Sequence, residues 1–340
     1  MTTKTIDKDQ LEEGRGRLAR KPLGIPLAGW GDILLRFWRG FNNDNLVLVA
    51  AGLAYFTLLA IFPSVILFVS LYGIFADPLT AADHASGLAG VLPPLAAEFI
   101  LSEITRVAEA DHGGLSLVSL VSFVIIVFGA GRAARATFQA LNVAYGERER
   151  RNLLQINILA LAFTLGFILA GVVALTLVVA FPALISALSL PLKAESAIVF
   201  LRWPMLFFGM IVATSILYRY GPCRAEAQLQ WLSLGSVAAS LLWVLSSLLI
   251  SFYASKITDF SATYGAFGAV LLLQMWLWAT ALMVLVGAKI NAEAEHQTAY
   301  DTTTGPEQPI GERGAVVADE LGPTRHQGAA PVEVPLSEAE

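Results

Sequence analysis

Six long apolar runs dominate this chain, and each is about long enough to cross a bilayer. They cover residues 46–76, 115–133, 153–181, 198–220, 231–255 and 264–291. A helix needs about 20 apolar residues to span a hydrocarbon core about 30 Å thick. Within lipid an unpaired backbone group costs several kcal/mol, so such runs fold as helices that satisfy their own hydrogen bonds. The expected fold is therefore all-α, a polytopic membrane protein built as a six-transmembrane-helix bundle with amphipathic flanking helices. Composition points the same way, because only 14% of residues are charged where a soluble domain carries about 25%. The first, third and sixth runs exceed the required length and are expected to tilt, kink or project into water.

Charge sets the expected orientation. Of the 22 Lys and Arg residues, all but Arg106, Lys193, Arg202 and Lys256 fall on the side that holds both termini. Positive residues mark the cytoplasmic side, so both termini are expected there. Residues 1–28 are polar with no apolar signal core. They predict a disordered cytoplasmic tail, with the first apolar helix acting as an uncleaved anchor. Residues 297–340, rich in Thr, Pro, Gly and Glu, predict a second disordered tail, which leaves 29–296 as the membrane domain. Gly29 to Phe41 places Trp30, Ile33, Leu34, Phe37 and Trp38 on one helical face and Asp32, Arg36 and Arg39 on the other. Such a helix either lies in the membrane interface or extends the first span into water. After the first span, Leu95, Phe99, Ile100, Ile104 and Val107 recur at helical spacing behind Pro94, which suits a first turn. This outer helix is either a packed surface helix or a lid.

No pattern in the chain supports catalysis. The single cysteine, Cys223, excludes an intrachain disulfide, and His84, His112, His296 and His326 have no metal-ligand spacing. HExxH, Walker and Ser-His-Asp signatures are absent, so no catalytic residue, metal or cofactor is assigned and the chain is not read as an enzyme. A net charge of −5 without basic clusters argues against a nucleic-acid partner.

The informative positions are polar residues within apolar runs. In the fifth run Ser236, Ser240, Ser247, Ser251 and Ser255 share an arc of roughly 100°. They provide either close helix packing or the lining of a polar cavity. The second helix should continue past its span to near Gly146, with Arg132, Arg135, Gln139 and Asn142 opposite Ala134, Phe138, Leu141 and Tyr145. Arg132 and Arg135 are expected at the level of anionic headgroups. There they either bind a phosphate-bearing lipid or substrate or anchor the helix. Pro63 should kink the first span. In the sixth, Tyr264 suits the outer interface, Gly265 and Gly268 permit close packing, and Gln274 should face the interior. Lys289 and Glu293 stand one turn apart at its inner end, where a cation suits the helix C-terminus.

Four segments resemble one family. They are AAGLAYFTLLAIFPSVI in the first helix, which holds Tyr55 and Pro63; GAGRAARATFQALNVAYG after the second; LYRYGP, ending at Pro222; and TYGAFGAVLLLQMWLWATALMVLVGAKINAE, which holds Tyr264, Gly265, Gly268 and Gly287. Over roughly residues 30–296 the chain resembles the YihY / virulence factor BrkB family of bacterial inner-membrane proteins. The resemblance implies six helices and an inner-membrane location. The chain departs from the family pattern at Cys223, usually Asn, and at Lys289, usually Glu. If that acid carried ions or protons, this chain has lost it unless Glu293 substitutes. Similar proteins have been labelled ribonuclease BN, and others linked to serum resistance or envelope-lipid transport. The expected function is a transporter or flippase-like protein for a lipid or amphiphile, using Arg132, Arg135, Asn142, Tyr55, Ser240, Ser247, Gln274, Lys289 and Glu293. The alternative is an accessory or scaffolding protein of the envelope with no substrate of its own. Ribonuclease activity is disfavoured, with no metal cluster, basic groove or aqueous domain to support it. Membrane lipids are the expected partners, and self-association is left open.

Overall fold

Every apolar run coincides with a helix in the computed structural model, which describes residues 14–72, 94–109, 117–187, 192–256 and 267–324. The helices are α1 (Leu27–Asn43), α2 (Leu46–Tyr72), α3 (Pro94–Glu109), α4 (Leu117–Tyr145), α5 (Leu153–Ala187), α6 (Leu192–Tyr220), α7 (Leu229–Lys256) and α8 (Phe267–Glu295). A single turn, α9 (Val316–Asp319), follows. Among the described residues there is no strand, only an isolated antiparallel bridge between Ala227 and Thr303. Four described stretches are long and apolar enough to cross a membrane: Leu46–Ile66, Leu153–Gly171, Leu229–Ala254 and Phe267–Glu295. Phe207–Tyr220 is a shorter apolar helix, so the expected six spans are not reached among the described residues.

Helix α8 is the axis of the bundle, packing on α7, α2, α1, α3 and α4. Small residues permit this. Gly287 of α8 and Gly235 of α7 meet backbone to backbone, and a Cβ on either would collide with the carbonyl oxygen of the other. Without a hydrophobic drive between helices in lipid, such close approach is a main source of packing energy. The core joins Leu46, Phe138, Leu141, Tyr145, Leu217, Tyr218, Leu232 and Leu285. The opposite surfaces of α2, α5 and α7 expose large apolar side chains such as Leu48, Leu153 and Leu248, as lipid-facing helices do. Pro63 lies inside α2 and abuts Gly129 of α4. Helix α4 ends at Gly146, whose φ of 69° is the left-handed conformation that terminates helices. The outer helix forms as α3, with Ala97 and Ile104 buried and Ile100 packed beside α8 residues Leu273 and Leu277. The side chains of Leu95, Phe99 and Val107 lie outside the described set.

One expectation fails: residues 14–28 and 297–324 are not disordered but form a strap across one end of the bundle. The Ala299 N–H donates to the Arg17 carbonyl at 2.8 Å, the Gln228 N–H to the Thr302 carbonyl at 2.9 Å, and the Val316 N–H to a Glu147 carboxylate oxygen at 2.7 Å. Thr298, Thr302, Arg313 and Val317 are buried. The composition reads as disordered because this segment is held by hydrogen bonds rather than by apolar burial. In α1 the polar face is the one that meets the protein. Asp32 and Arg36 face the protein and are buried with Ile33, whereas Leu27, Leu34 and Trp38 are exposed. Long-range ion pairs turn it, since Asp32 accepts two bonds from Arg15 Nη1 at 2.8 and 2.9 Å and Arg36 reaches Glu293.

Candidate functional site

The last two turns of α8 place polar residues Lys289, Asn291, Glu293 and Glu295 in alternation with Ala288, Ala292 and Ala294, and all seven are buried. Residues one turn apart share a helix face, so Lys289 and Glu293 lie on one side of this end and Asn291 and Glu295 on another. Asn291 Nδ2 donates to the Leu232 carbonyl at 3.1 Å, and its Oδ1 accepts from the Gly235 N–H at 2.7 Å. Glu293 Oε2 accepts from Arg36 Nε at 2.9 Å, and its other oxygen lies 3.3 Å from Lys289 Nζ. Lys289 Nζ also lies 2.9 Å from Asp44 Oδ2, and Gly40 makes room for it, since a Cβ there would come within 2.7 Å of Nζ. Glu295 takes a two-pronged bond from Arg224, at 3.0 and 2.6 Å, plus the Thr302 hydroxyl at 2.7 Å. Two cations and two anions around Glu293 leave that cluster neutral, which is how buried charges persist.

His296 closes this cluster, its Nδ1 3.9 Å from Glu293 Oε2. Burial pushes its pKa down to about 4; Arg36, Lys289 and Arg224 push the same way and Glu293 opposes them. The imidazole is therefore neutral in the folded protein and protonates near 6.5 when unfolded. Because the unfolded chain binds more protons between these values, stability falls as pH drops from about 7 towards 4. His296→Gln should remove about 1–2 kcal/mol of this acid sensitivity at pH 5, allowing for partial exposure of the ring. Thermal melting of the detergent-solubilised protein between pH 5 and 8 measures it; equal slopes for the two proteins would refute it.

The other expected site residues do not gather in one place. Asn142 is buried and accepts the Cys223 N–H at 2.7 Å while donating to Glu149 at 3.0 Å. Since the Cys223 contact is with backbone, the bond survives the departure from Asn at that position. Ser240 bonds the Ser236 carbonyl of its own helix, Ser247 accepts from Trp276 Nε1 at 3.0 Å, and Ser236 meets Ser215 at 2.9 Å. Ser236, Ser240 and Ser247 are thus buried in helix packing rather than lining a described cavity. Gln274 Oε1 is buried with no hydrogen-bond partner among the described residues. Tyr55 is exposed on α2. Arg135 Nη1 donates to Asn157 at 2.8 Å, whereas Arg132 is exposed and has no described hydrogen-bond or ion-pair partner. Gly268 and Pro222 are buried, and Tyr264 and Gly265 lie outside the described residues. Arg36, Arg224, Asn291 and Glu295 escape a reading by single spans. The usable signal was the run of alternating polar residues ending α8.

No group of three His, Cys, Asp or Glu side chains able to hold a metal occurs among the described residues. Long apolar helices closed at one end by buried ion pairs define a helical membrane protein. The chain belongs to the virulence factor BrkB family, which matches residues 37–311. It is 29% identical over 250 residues to the ribonuclease-like protein YfkH of Bacillus subtilis, a match covering 72% of this chain and 88% of that one. It is 26% identical over 291 residues to a UPF0761 membrane protein of Methylibium petroleiphilum, covering 84% and 68%. A UPF0761 membrane protein of Idiomarina loihiensis is 24% identical over 269 residues, covering 76% and 89%. No solved structure matches.

Proposed function

We propose that this chain is a six-span protein of the bacterial inner membrane, with both termini cytoplasmic, that engages an anionic lipid or amphiphile in a transporter- or flippase-like role. The observation that carries this reading is Arg132. Gly129 of α4 abuts Pro63 of α2, and Arg132 follows one turn closer to the terminal end. From the α4 end at Tyr145 its Cα is about 20 Å up the helix, at about 1.5 Å per residue. The apolar stretch Leu46–Ile66 runs alongside, and this reading sets Arg132 within the apolar belt rather than at the headgroup level. An exposed guanidinium without a described partner beside such a stretch is costly and marks a functional position by default. A phosphate-bearing amphiphile supplies the counter-charge.

Arg132→Ala should therefore leave the protein folded, with unchanged or higher thermal stability, since removing an uncompensated charge from an apolar stretch is favourable by up to about 3 kcal/mol. It should also cut retained anionic lipid, read by native mass spectrometry, by about tenfold. Arg132→Lys should keep part of the binding. Wild-type protein that retains no anionic lipid would defeat the reading.

The dry packing of Ser236, Ser240 and Ser247 favours a second reading, an envelope scaffold with no substrate of its own. Cysteine-accessibility scanning of these positions in a Cys223→Ser background separates the two. Labelling from water supports a transport path, and uniform protection supports the scaffold.

A further inference from the structure

Where the α4–α5 loop, the α6–α7 loop and the strap converge, they form an open pocket of about 320 Å³ whose walls include Arg151, Arg219, Tyr220, Cys223, Arg224 and Glu226. Three guanidiniums face one carboxylate in this lining. The arginines differ in how far they are committed. Arg224 spends its donors on Glu295 and the Ala225 carbonyl, and its side chain is 1% exposed. Arg151 is held by Glu149 and the Gly221 carbonyl. Arg219 gives Nε and Nη2 to one oxygen of Glu226, at 3.1 and 2.9 Å, leaving Nη1 without a described partner. Glu226 is the weakest member, its side chain 47% exposed, and an exposed pair of this kind contributes about 1 kcal/mol or less. The half-exposed Tyr220 phenol lies beside Arg219.

The pocket also sits at a boundary. Leu153 and Leu154 follow Arg151 closely and are 81% and 69% exposed, and Ile216, one turn before Tyr220, is 47% exposed. Its mouth therefore opens where the apolar surface gives way to the polar end. We propose that this pocket binds a phosphate group, which displaces the Glu226 carboxylate from Arg219 and takes both forks of that guanidinium. Glu226 then acts as an internal competitor that holds the site until the phosphate arrives. The phosphate belongs either to an anionic lipid headgroup or to a free phosphate, and either fits a planar, two-pronged donor. The site is separate from Arg132 and does not rest on its role.

The test uses full-length protein in nanodiscs. One arm titrates inorganic phosphate onto protein in pure phosphatidylcholine and follows thermal melting, with potassium chloride as the ionic-strength control. The other arm uses mixed phosphatidylcholine and phosphatidylglycerol and reads retained phosphatidylglycerol by native mass spectrometry. Binding in the first arm identifies free phosphate, and binding in the second alone identifies a lipid headgroup. In the responding arm, Arg219→Gln should weaken binding about tenfold while Glu226→Gln strengthens it several-fold. Arg132→Ala should not alter phosphate binding in the first arm, nor the Arg219 and Glu226 effects in the second. The opposite signs matter, because a purely structural Arg219–Glu226 pair makes both variants behave alike. No binding in either arm, or loss of binding in Glu226→Gln, overturns the proposal.

Discussion

Gly287→Val is expected to dismantle the packing of α7 on α8 and leave little monodisperse protein after solubilisation. A side chain at this position would drive into the Gly235 carbonyl and would meet Tyr218 Oη at 2.5 Å and Ala239 Cβ at 2.7 Å. None of these can retreat cheaply. The carbonyl is backbone, Ala239 is fully buried, and Tyr218 is pinned by its 2.8 Å bond to the Val284 carbonyl. Overpacking costs about 1–3 kcal/mol when neighbours can yield, and more when they cannot. Alanine should cost about 2–3 kcal/mol and valine clearly more. Gly166→Ala is the control, since nothing lies within 4 Å of its added Cβ. Fluorescence-detected size exclusion with a thermal ramp measures all three; a Gly287→Val protein that melts like wild type would refute the contact.

The second large effect is expected at Arg224 and Glu295, whose side chains are 1% and 0% exposed. Arg224→Gln or Glu295→Gln alone leaves a buried charge without its partner and should cost about 3–5 kcal/mol. Replacing both by Met should recover much of that loss, because the desolvation penalty of two ions disappears along with their attraction. The recovery will be incomplete, since the Thr302 hydroxyl loses its acceptor and the Tyr145 ring loses the guanidinium 5.2 Å from its centre. A double-mutant cycle on thermal melting gives the coupling, and strictly additive losses would show that the pair contributes nothing together.

The sequence made the helices legible because apolar length alone decides them. The end of α4 at Gly146 and the helix beginning at Pro94 were also visible, since Gly and Pro punctuate helices by local chemistry. The ion pairs were not visible. Arg36 and Glu293 are 257 residues apart, and nothing near Arg36 reveals that it turns inward rather than to water. The strap was missed for a related reason. Its hold comes from threonine hydroxyls, backbone amides and Asp319, which accepts from the backbone of Gly311, Arg313 and Gly314, and composition weighs such residues as solvent-loving. Of the site, the sequence located Lys289 and Glu293 together, but nothing local to Arg132 announces the contact of Gly129 with Pro63 across two helices one turn away.

The distance along the chain between Arg36 and Glu293 also sets a schedule. A ribosome adds about 5–20 residues per second, so Arg36 emerges roughly 13–50 s before the carboxylate that neutralises it. Arg224 waits for Glu295 across 71 residues more briefly. During that interval the nascent protein holds α1 and the α6–α7 loop as unmatched charges that water must keep solvated. The bundle's terminal end is thus the last part to close, and a chain cut short before Glu293 presents to quality-control proteases an end that never seals.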